Sequence, residues 1–402
     1  MAQNISFPTA IEPDTVECER PGPAKFSAAL AQGDFLAAVT LAETEAELWW
    51  SQAVTQVIWQ SGSDGGFPQP PEDAGALPWT EVEYAYAWSR GDYARIGRIK
   101  GADRNDAFPR MATAWAEGSR TPTFAFPDST VSVPMRISSG KNPLVEVKVN
   151  GVSHWFWVDT GAGVTVLSSR IAQAVGIAPL GGYAEIGTST RHRVWGRPAV
   201  IDSLEIGGFC ARNQPAVILR KRDLALRLFG IPLLRIDGIV GWPLLRELDV
   251  ELNVPGRTLT LRPSQPDPAD SPQIGWYWQP FVEVATPPGC TLRLKLDTGS
   301  AKTFFHPSAY PKLGVVPRNQ TRTLRTGVGA TKLMRTDQLE RVRLVLGEQL
   351  VEMAAAEGFP EEPNAKEELM RFDGVIGQDI LGRGTVRIDF RNRRFRFFRE
   401  AR

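Results

Sequence analysis

The spacing of apolar residues divides the chain into two parts. Before about Thr121, Ala-rich stretches with helical periodicity run through 26–57 and again through 82–116. Beyond that point the apolar residues fall in short runs, and near the C-terminus Phe395 and Phe397 alternate with arginines, as in a half-buried strand. The pattern predicts a helical N-terminal region followed by a mainly β chain.

The two helical stretches share a weak repeat. Segment 26–35 aligns with segment 84–93, and each ends in Gly-Asp followed by an aromatic residue, which would turn one helix into the next. This pattern resembles a tetratricopeptide-type helical hairpin. Such hairpins serve as docking surfaces for partner proteins, so docking is one expectation. A helical cap packed on the rest of the chain is the other.

The motif Asp-Thr-Gly occurs twice, and each copy closes an apolar run, 155–158 in the first case and 294–296 in the second. The copies are Asp159, Thr160 and Gly161, and Asp297, Thr298 and Gly299. One copy alone is a weak signal, because these residue types are common in turns that end strands. The second copy raises the question of whether their surroundings repeat as well.

The surroundings do repeat. Downstream, two apolar residues and a glycine follow each motif: Ile239, Val240 and Gly241, and Val375, Ile376 and Gly377. Upstream, a Val-Glu-Val triplet precedes each motif, at 145–147 and at 282–284, and each copy ends in a hairpin-like stretch, 249–261 and 387–398. Nearly the same offset along the chain relates all of these pairs, so the chain contains an internal duplication.

Over roughly residues 121–398 this duplicated pattern resembles the pepsin and retropepsin aspartic proteases. The resemblance implies a mainly β fold with two pseudo-twofold-related acid-protease lobes, here called the first and second repeat, and an N-terminal α-helical domain. The predicted division is 1–120 for the helical domain, 121–262 for the first repeat, 263–273 for a Pro-rich linker and 274–402 for the second repeat.

The implied activity is that of an aspartic endopeptidase. Peptide hydrolysis by this route needs one carboxylate that takes a proton from water and a second carboxyl that gives one to the scissile carbonyl. Asp159 and Asp297, here called the dyad, would supply this pair, one from each repeat. The expected partner is a peptide or protein substrate, and no cofactor is expected.

The neighbours of the dyad have supporting roles by the same resemblance, and the two apolar-apolar-Gly segments are expected to thread beside the Asp-Thr-Gly loops and support them. Thr160 and Thr298 are expected to reach the opposite loop, and Gly161 and Gly299 to let backbone N–H groups approach the carboxylates. Ser300 stands where the first repeat has Ala162. We hypothesise that its hydroxyl donates to Asp297, which would make Asp297 the more readily ionised member and Asp159 the proton carrier.

Glycine-rich hairpins between each motif and its downstream partner are the candidate flaps over the substrate. The predicted substrate-binding residues are Gly187, Thr188, Gly327 and Gly329. Gly187 follows the first aspartate at nearly the same distance along the chain as Gly327 follows the second. The sequence leaves open whether one flap closes or two, and the similar spacing favours two.

Other classes of chemistry find little support. The three histidines, His154, His192 and His306, are not paired with cysteines at metal-ligand spacing, so no metal site is predicted. The net charge of +1 gives no argument for nucleic acid. Three widely separated cysteines do not indicate a disulfide framework.

No stretch has the pattern of a membrane span or a signal peptide, which favours a cytoplasmic protein. If a signal has been removed, the same chain would be periplasmic or secreted. Two alternatives to a monomeric enzyme also stay open. One is a catalytically silent peptide-binding or scaffolding protein that keeps the fold. The other is a protein in which each repeat pairs with its equivalent in another chain.

Overall fold

The computed structural model describes residues 25–27, 29, 35–59, 79–99, 107–118, 120–188, 193–228, 231–265, 273–361 and 370–399. Most of the predicted linker 263–273, together with Cys18 and His192, lies outside these residues. The described chain is mainly β, with its longest helices before residue 120 and only short ones after it, which confirms the predicted fold class.

The helices are short. They are α1 (Phe35–Leu41), α2 (Glu45–Trp59), α3 (Trp79–Arg90), α4 (Tyr93–Ile96), α5 (Ala107–Gly118), α6 (Ser169–Ala174), α7 (Trp242–Leu245), α8 (Ala309–Leu313) and α9 (Gln378–Leu381). Within the described residues, no helix combines the length and the apolar content needed to cross a membrane.

The strands fall into two sequential groups. The first repeat contains β1 (Thr123–Ala125), β2 (Val131–Ile137), β3 (Pro143–Val149), β4 (Val152–Val158), β5 (Thr165–Ser168), β6 (Ala184–Gly187), β7 (Arg193–Ile206), β8 (Phe209–Leu219), β9 (Ala225–Leu228), β10 (Ile231–Arg235), β11 (Gly238–Val240), β12 (Leu248–Asn253) and β13 (Thr258–Pro263). The second repeat contains β14 (Ile274–Tyr277), β15 (Gln279–Ala285), β16 (Thr291–Leu296), β17 (Phe304–Phe305), β18 (Gln320–Gly327), β19 (Ala330–Leu346), β20 (Gln349–Gly358), β21 (Gly374–Ile376), β22 (Gly384–Asp389) and β23 (Arg394–Arg399).

The two repeats order their strands in the same way. Neighbouring strands run β3-β4-β11-β5-β8-β7 in the first repeat and β15-β16-β21-β17-β20-β19 in the second. In both repeats, the strand that precedes Asp-Thr-Gly lies between two others. It pairs antiparallel with the strand before it in the chain and parallel with the strand of the apolar-apolar-Gly segment. The two motifs of each repeat are therefore brought side by side by the sheet itself.

A shared sheet joins the repeats. Hairpins β12–β13 and β22–β23 each end one repeat, and β12 pairs antiparallel with β22, with Val250 opposite Ile388. Across this junction the Arg387 guanidinium binds the Asp249 carboxylate through Nε (2.9 Å to Oδ1) and Nη2 (2.5 Å to Oδ2). The Asp249 side chain is only 5% exposed and that of Arg387 is 38% exposed, so a guanidinium at the edge of the junction satisfies a buried carboxylate.

The final strand confirms the predicted alternation. In β23, Phe395 and Phe397 are buried while Arg396 between them is exposed. Successive strand residues point to opposite faces, so the phenylalanines face the core and the arginine faces solvent.

The helical region packs on both repeats. The Trp115 indole N–H of α5 donates to the carbonyls of Ala199 (3.1 Å) and Ala216 (3.2 Å) in the first repeat. Trp59 of α2 meets the edge of Phe281 in the second repeat at 5.5 Å between ring centroids. These contacts agree with a helical cap. Docking of a further protein by the helices stays a prediction.

The predicted turn at 91–93 is present. Helix α3 ends at Arg90, Gly91 has a φ of 68°, and Asp92 caps α4 by accepting a hydrogen bond from the Arg95 N–H (3.0 Å). The matching Gly-Asp of the first copy lies outside the described residues.

The cysteines differ from expectation in one respect. Cys290 is disulfide-bonded, whereas Cys210 is a free, half-buried thiol. The expectation of no disulfide was based on the odd number and wide separation of the cysteines. Separation along the chain does not determine which cysteines meet in space.

The ion pair between the repeats leads to a stability prediction. Arg387→Leu leaves the Asp249 carboxylate buried without its bidentate partner, and we expect a loss of about 2 kcal/mol in the free energy of unfolding. Arg262, 3.9 Å from the same carboxylate, retains part of the interaction. The measurement is chemical denaturation.

The matched control is Arg396→Leu, which places the same substitution opposite Arg387 on an exposed position of β23. It should change the free energy of unfolding by no more than about 0.5 kcal/mol. Equal effects of the two substitutions on the free energy of unfolding would contradict the claim that Arg387 stabilises the fold by pairing with the buried Asp249 carboxylate.

Candidate active site

Each aspartate of the dyad follows directly on the strand that carries it, β4 or β16. The Asp159 backbone N–H donates to the Val240 carbonyl (3.0 Å), and the Asp297 N–H donates to the Ile376 carbonyl (3.1 Å). The apolar-apolar-Gly strands therefore hold the start of each Asp-Thr-Gly loop by a backbone hydrogen bond. This is the supporting position predicted for these segments.

The two loops bring the carboxyls of Asp159 and Asp297 next to each other, so that one carboxyl, when protonated, can donate to the other. Within each loop, the glycine N–H donates to the carboxyl of its own aspartate. Gly161 N lies 2.9 Å from Asp159 Oδ1, and Gly299 N lies 2.8 Å from Asp297 Oδ1. Two groups that are far apart in the sequence thus form one site between the repeats.

The electrostatics of the two carboxyls differ. Burial raises the pKa of Asp159 well above its usual value, and the negative charge of Asp297 raises it further. Burial also raises the pKa of Asp297, but four interactions oppose this: the Gly299 N–H, the hydrogen bond from Asp159, the Ser300 N–H and the positive charge of Lys295. The two carboxyls therefore share a proton as a coupled pair, and the charge of Lys295 favours the ionised form of Asp297.

The threonines cross between the loops, as predicted. The Thr160 hydroxyl donates to the Leu296 carbonyl (2.7 Å) and accepts from the Thr298 N–H (3.0 Å). In return, the Thr298 hydroxyl donates to the Val158 carbonyl (2.8 Å) and accepts from the Thr160 N–H (3.0 Å). Both side chains are buried, so four hydrogen bonds fix one loop against the other in a dry environment.

The glycines of the motifs are required by close packing across the repeats. A Cβ on Gly161 would lie 2.6–2.8 Å from the carboxyl atoms of Asp297, and a Cβ on Gly299 would lie 2.3–2.5 Å from those of Asp159. We expected these glycines to admit backbone N–H groups, which they do. The structure adds that the opposite carboxyl fills the space of the missing side chain.

The downstream glycines are tied to the loops by a threonine in each repeat. The Gly241 N–H donates to the Thr165 hydroxyl (3.3 Å), and the Gly377 N–H donates to the Thr303 hydroxyl (3.0 Å). The first residues of α7 and α9 repeat this pattern, because their N–H groups donate to the carbonyls of Ala162 (2.7 Å) and Ser300 (2.8 Å). Each loop is therefore supported along its whole length.

Two amide side chains that sequence reasoning missed also connect the loops. Asn142 Nδ2 donates to the Gly299 carbonyl (2.5 Å), and Gln279 Nε2 donates to the Gly161 carbonyl (2.7 Å). Each amide thus holds the loop of the opposite repeat. A signal was available, because an amide followed by proline stands just before Val-Glu-Val in both repeats.

The hypothesis about the Ser300 hydroxyl is wrong. Ser300 Oγ donates to the Lys302 carbonyl (2.8 Å) and not to Asp297. Of the two donors of Ser300, only its backbone N–H favours ionised Asp297. The Ala162 N–H does the same for Asp159 in the first repeat. The charge difference between the repeats lies instead at Lys295, which occupies the position that Trp157 has in the first repeat.

Hairpins occur at both predicted flap positions. Gly187 ends β6 and Thr188 follows it, while residues 189–192 of that turn lie outside the described residues. Gly327 ends β18, and Gly329 in the next turn has a φ of 81° and donates its N–H to the Asp223 carbonyl (2.8 Å). The second hairpin therefore touches the first repeat. Its role over a substrate stays a prediction.

The described residues contain no cluster of three or more His, Cys, Asp or Glu side chains that could hold a metal ion.

Comparison with known proteins finds similarity for part of the chain. Residues 145–244 match the family model for aspartyl proteases. Among solved structures, the chain is similar to a retropepsin-like aspartic protease from Rickettsia conorii, at 19% identity and a TM-score of 0.23, over 35% of this chain and 94% of that one. No curated protein matches the chain. The matched segment includes Asp159 and Gly241, and it confirms the resemblance of this part of the chain to aspartyl proteases.

The crowding between the loops leads to a prediction about the glycines. Gly299→Ala would push a methyl group into the Asp159 carboxyl, and we expect a loss of about 1–3 kcal/mol in the free energy of unfolding. Gly163→Ala is the matched control, because a Cβ there has no atom within 4 Å. It should be neutral to within about 0.5 kcal/mol. Equal effects in chemical denaturation would refute the close approach.

Proposed function

We propose that this protein is an aspartic endopeptidase in which Asp159 and Asp297 together activate a water molecule for peptide hydrolysis. The observation that carries the proposal is the meeting of the two carboxyls, one from each repeat, in a hydrogen-bonded pair. The match of residues 145–244 to aspartyl proteases supports a protease-type function. The reaction as proposed uses no cofactor.

The unequal electrostatics of the pair suggest which carboxyl acts as the general acid and which as the general base. The charge of Lys295 favours the ionised form of Asp297, so Asp159 carries the shared proton and donates it to the oxygen of the scissile carbonyl. Asp297 accepts a proton from water as the water oxygen bonds to the carbonyl carbon. The resulting diol collapses when the C–N bond breaks. The leaving amine takes the proton from Asp297, and Asp159 recovers its proton from the diol hydroxyl.

The cross-repeat hydrogen bonds would preorganise this reaction. The threonines fix the loops, and Asn142 and Gln279 bind the carbonyls of the opposite glycines, so the carboxyls need no rearrangement when the substrate arrives. Since one chain supplies both aspartates, we propose that a monomer is sufficient. The peptide would lie between the dyad and the β6–β7 and β18–β19 hairpins, which act as two flaps.

The direct test is the loss of activity in Asp159→Asn and Asp297→Asn. Each substitution keeps the shape of the side chain but removes the acid–base function of one carboxyl. We expect cleavage of a diverse peptide library to fall by about 10³-fold or more in either variant, since the residues act as a unit. Cleavage is read by mass spectrometry from acidic to neutral pH.

The exposed Asp202→Asn, on β7 away from the loops, is the control and should cleave like the wild type. Cleavage that survives in either dyad variant would contradict the shared site. Peptide binding by a wild type that cleaves nothing at any pH would instead favour the silent scaffolding protein.

The pH dependence of the rate tests the source of the asymmetry. The acidic limb reports protonation of the second carboxyl, whose pKa the charge of Lys295 lowers. Lys295→Met removes that charge, so the pKa rises and the acidic limb should move to higher pH. Ser300→Ala should leave the limb in place, because its hydroxyl binds the Lys302 carbonyl. A limb that moves in Ser300→Ala and stays in place in Lys295→Met, measured in pH–rate profiles, would support the Ser300 hypothesis instead.

A further inference from the structure

A cluster of charges in the second repeat connects the loop of the dyad to the proposed flap. Lys302 lies shortly after Asp297 in the chain, Arg325 lies on β18 just before Gly327, and Glu357 of β20 joins them. Glu357 Oε1 accepts from Lys302 Nζ (2.5 Å) and Oε2 accepts from Arg325 Nη2 (3.2 Å). The cluster therefore connects the active-site loop with the flap strand. The surface that these three side chains form between the loop and the strand is here called the wall.

The members of the cluster differ in their access to solvent. The side chain of Glu357 is 9% exposed and that of Arg325 is 18% exposed, whereas that of Lys302 is 60% exposed. The Arg325 guanidinium also lies over the rings of Phe304 (4.4 Å) and Phe359 (4.5 Å). Arg325 and Glu357 are thus built into the wall, and the exposed charge at its surface is the Lys302 ammonium.

The charges within the cluster do not cancel. Two cations meet one carboxylate, whose oxygens are both engaged, so the group carries one net positive charge. An ammonium has three N–H donors, and the bond to Glu357 uses one of them. The charge and the remaining donor capacity favour an anionic hydrogen-bond acceptor.

The same wall in the first repeat is apolar. Val164 occupies the position of Lys302 there, and Val217 pairs with Val166 of β5 as Glu357 pairs with Phe304 of β17. Ile186 of the flap strand β6 and Val217 both pack on Gly196. A Cβ added to Gly196 would lie 2.7 Å from the Ile186 side chain and 2.4 Å from the Val217 side chain. Val164 and Val217 thus stand where the second repeat has Lys302 and Glu357, and Ile186 of the flap strand packs beside Val217.

We propose that the wall formed by Lys302, Glu357 and Arg325 is a substrate subsite that selects an acidic side chain, with Lys302 as the residue that contacts it. The equivalent wall of the first repeat accepts an apolar side chain. This inference rests on the proposed function, because it describes how the same cleft holds a peptide. The protease would therefore select peptides with an acidic residue on one side of the scissile bond and an apolar residue on the other.

Binding and cleavage are measured separately to test the subsite. The binding probes are statine-type pseudopeptides with apolar side chains and a single Glu, or Gln in its place, at each position in turn. Dissociation constants are measured near pH 6.5, where a free Glu side chain is ionised, and at low salt, where exposed charges interact most strongly. At one position we expect Glu to bind about three- to fivefold more tightly than Gln, as for a solvent-exposed ion pair.

The variants assign this preference to Lys302. Lys302→Val, which installs the residue of the first repeat, should abolish the preference, and Lys302→Glu should reverse it towards a Lys-containing pseudopeptide. Lys148→Val is the matched control, because it makes the same change at an exposed position of β3. It should leave the preference for Glu unchanged.

Each outcome bears on one claim. Equal binding of Glu and Gln at every position, a preference that persists in Lys302→Val, or no binding at all overturns the subsite. Cleavage of the corresponding peptides is followed in parallel by mass spectrometry. A Lys302-dependent preference in binding with no peptide cleaved supports the subsite and rejects the proposed proteolysis. Equal binding together with cleavage that is lost in Asp159→Asn supports the proteolysis and rejects the subsite.

Discussion

The contact between two carboxyls is the constraint on which the rest of the structure depends. Two ionised aspartates at hydrogen-bond distance in a poorly hydrated site repel each other, so the arrangement is stable only if the pair shares a proton and the loops cannot move apart. The threonine hydroxyls meet the second condition from both sides, because each binds the backbone of the opposite loop. The amides of Asn142 and Gln279 add a second pair of crossing bonds.

The candidate site takes one loop from each repeat, so neither repeat contains it alone, and differences between the repeats make it unequal. Three pairs of equivalent positions show this: Trp157 and Lys295, Val164 and Lys302, and Asp249 and Arg387. The first pair biases the dyad, the second changes the wall beside it, and the third joins the two repeats by an ion pair. Identical subunits of a symmetric dimer could not acquire such differences, whereas two repeats in one chain can mutate separately.

The parts of this account that sequence could predict are those encoded by local pattern. The two Asp-Thr-Gly loops, their apolar-apolar-Gly partners and the hairpins at Gly187 and Gly327 all follow from residue types at repeated spacing. The amides of Asn142 and Gln279 also stand at repeated positions, but the pattern does not show that each side chain binds the loop of the opposite repeat, because these contacts join residues that are far apart in the sequence. Ser300 failed for a different reason, since its rotatable hydroxyl had a nearer acceptor in the Lys302 carbonyl. The disulfide of Cys290 likewise depends on three-dimensional proximity.

The central claim, that Asp159 and Asp297 form one proton-sharing pair within a single chain, is tested most directly by titrating their carboxyl carbons by NMR. Spectra of Asp159→Asn and Asp297→Asn assign the two resonances. The account predicts two coupled steps for the pair, with one carboxyl still protonated well above the usual range of an aspartic acid. Two independent titrations, each near the ordinary value of about 3.9, would contradict it.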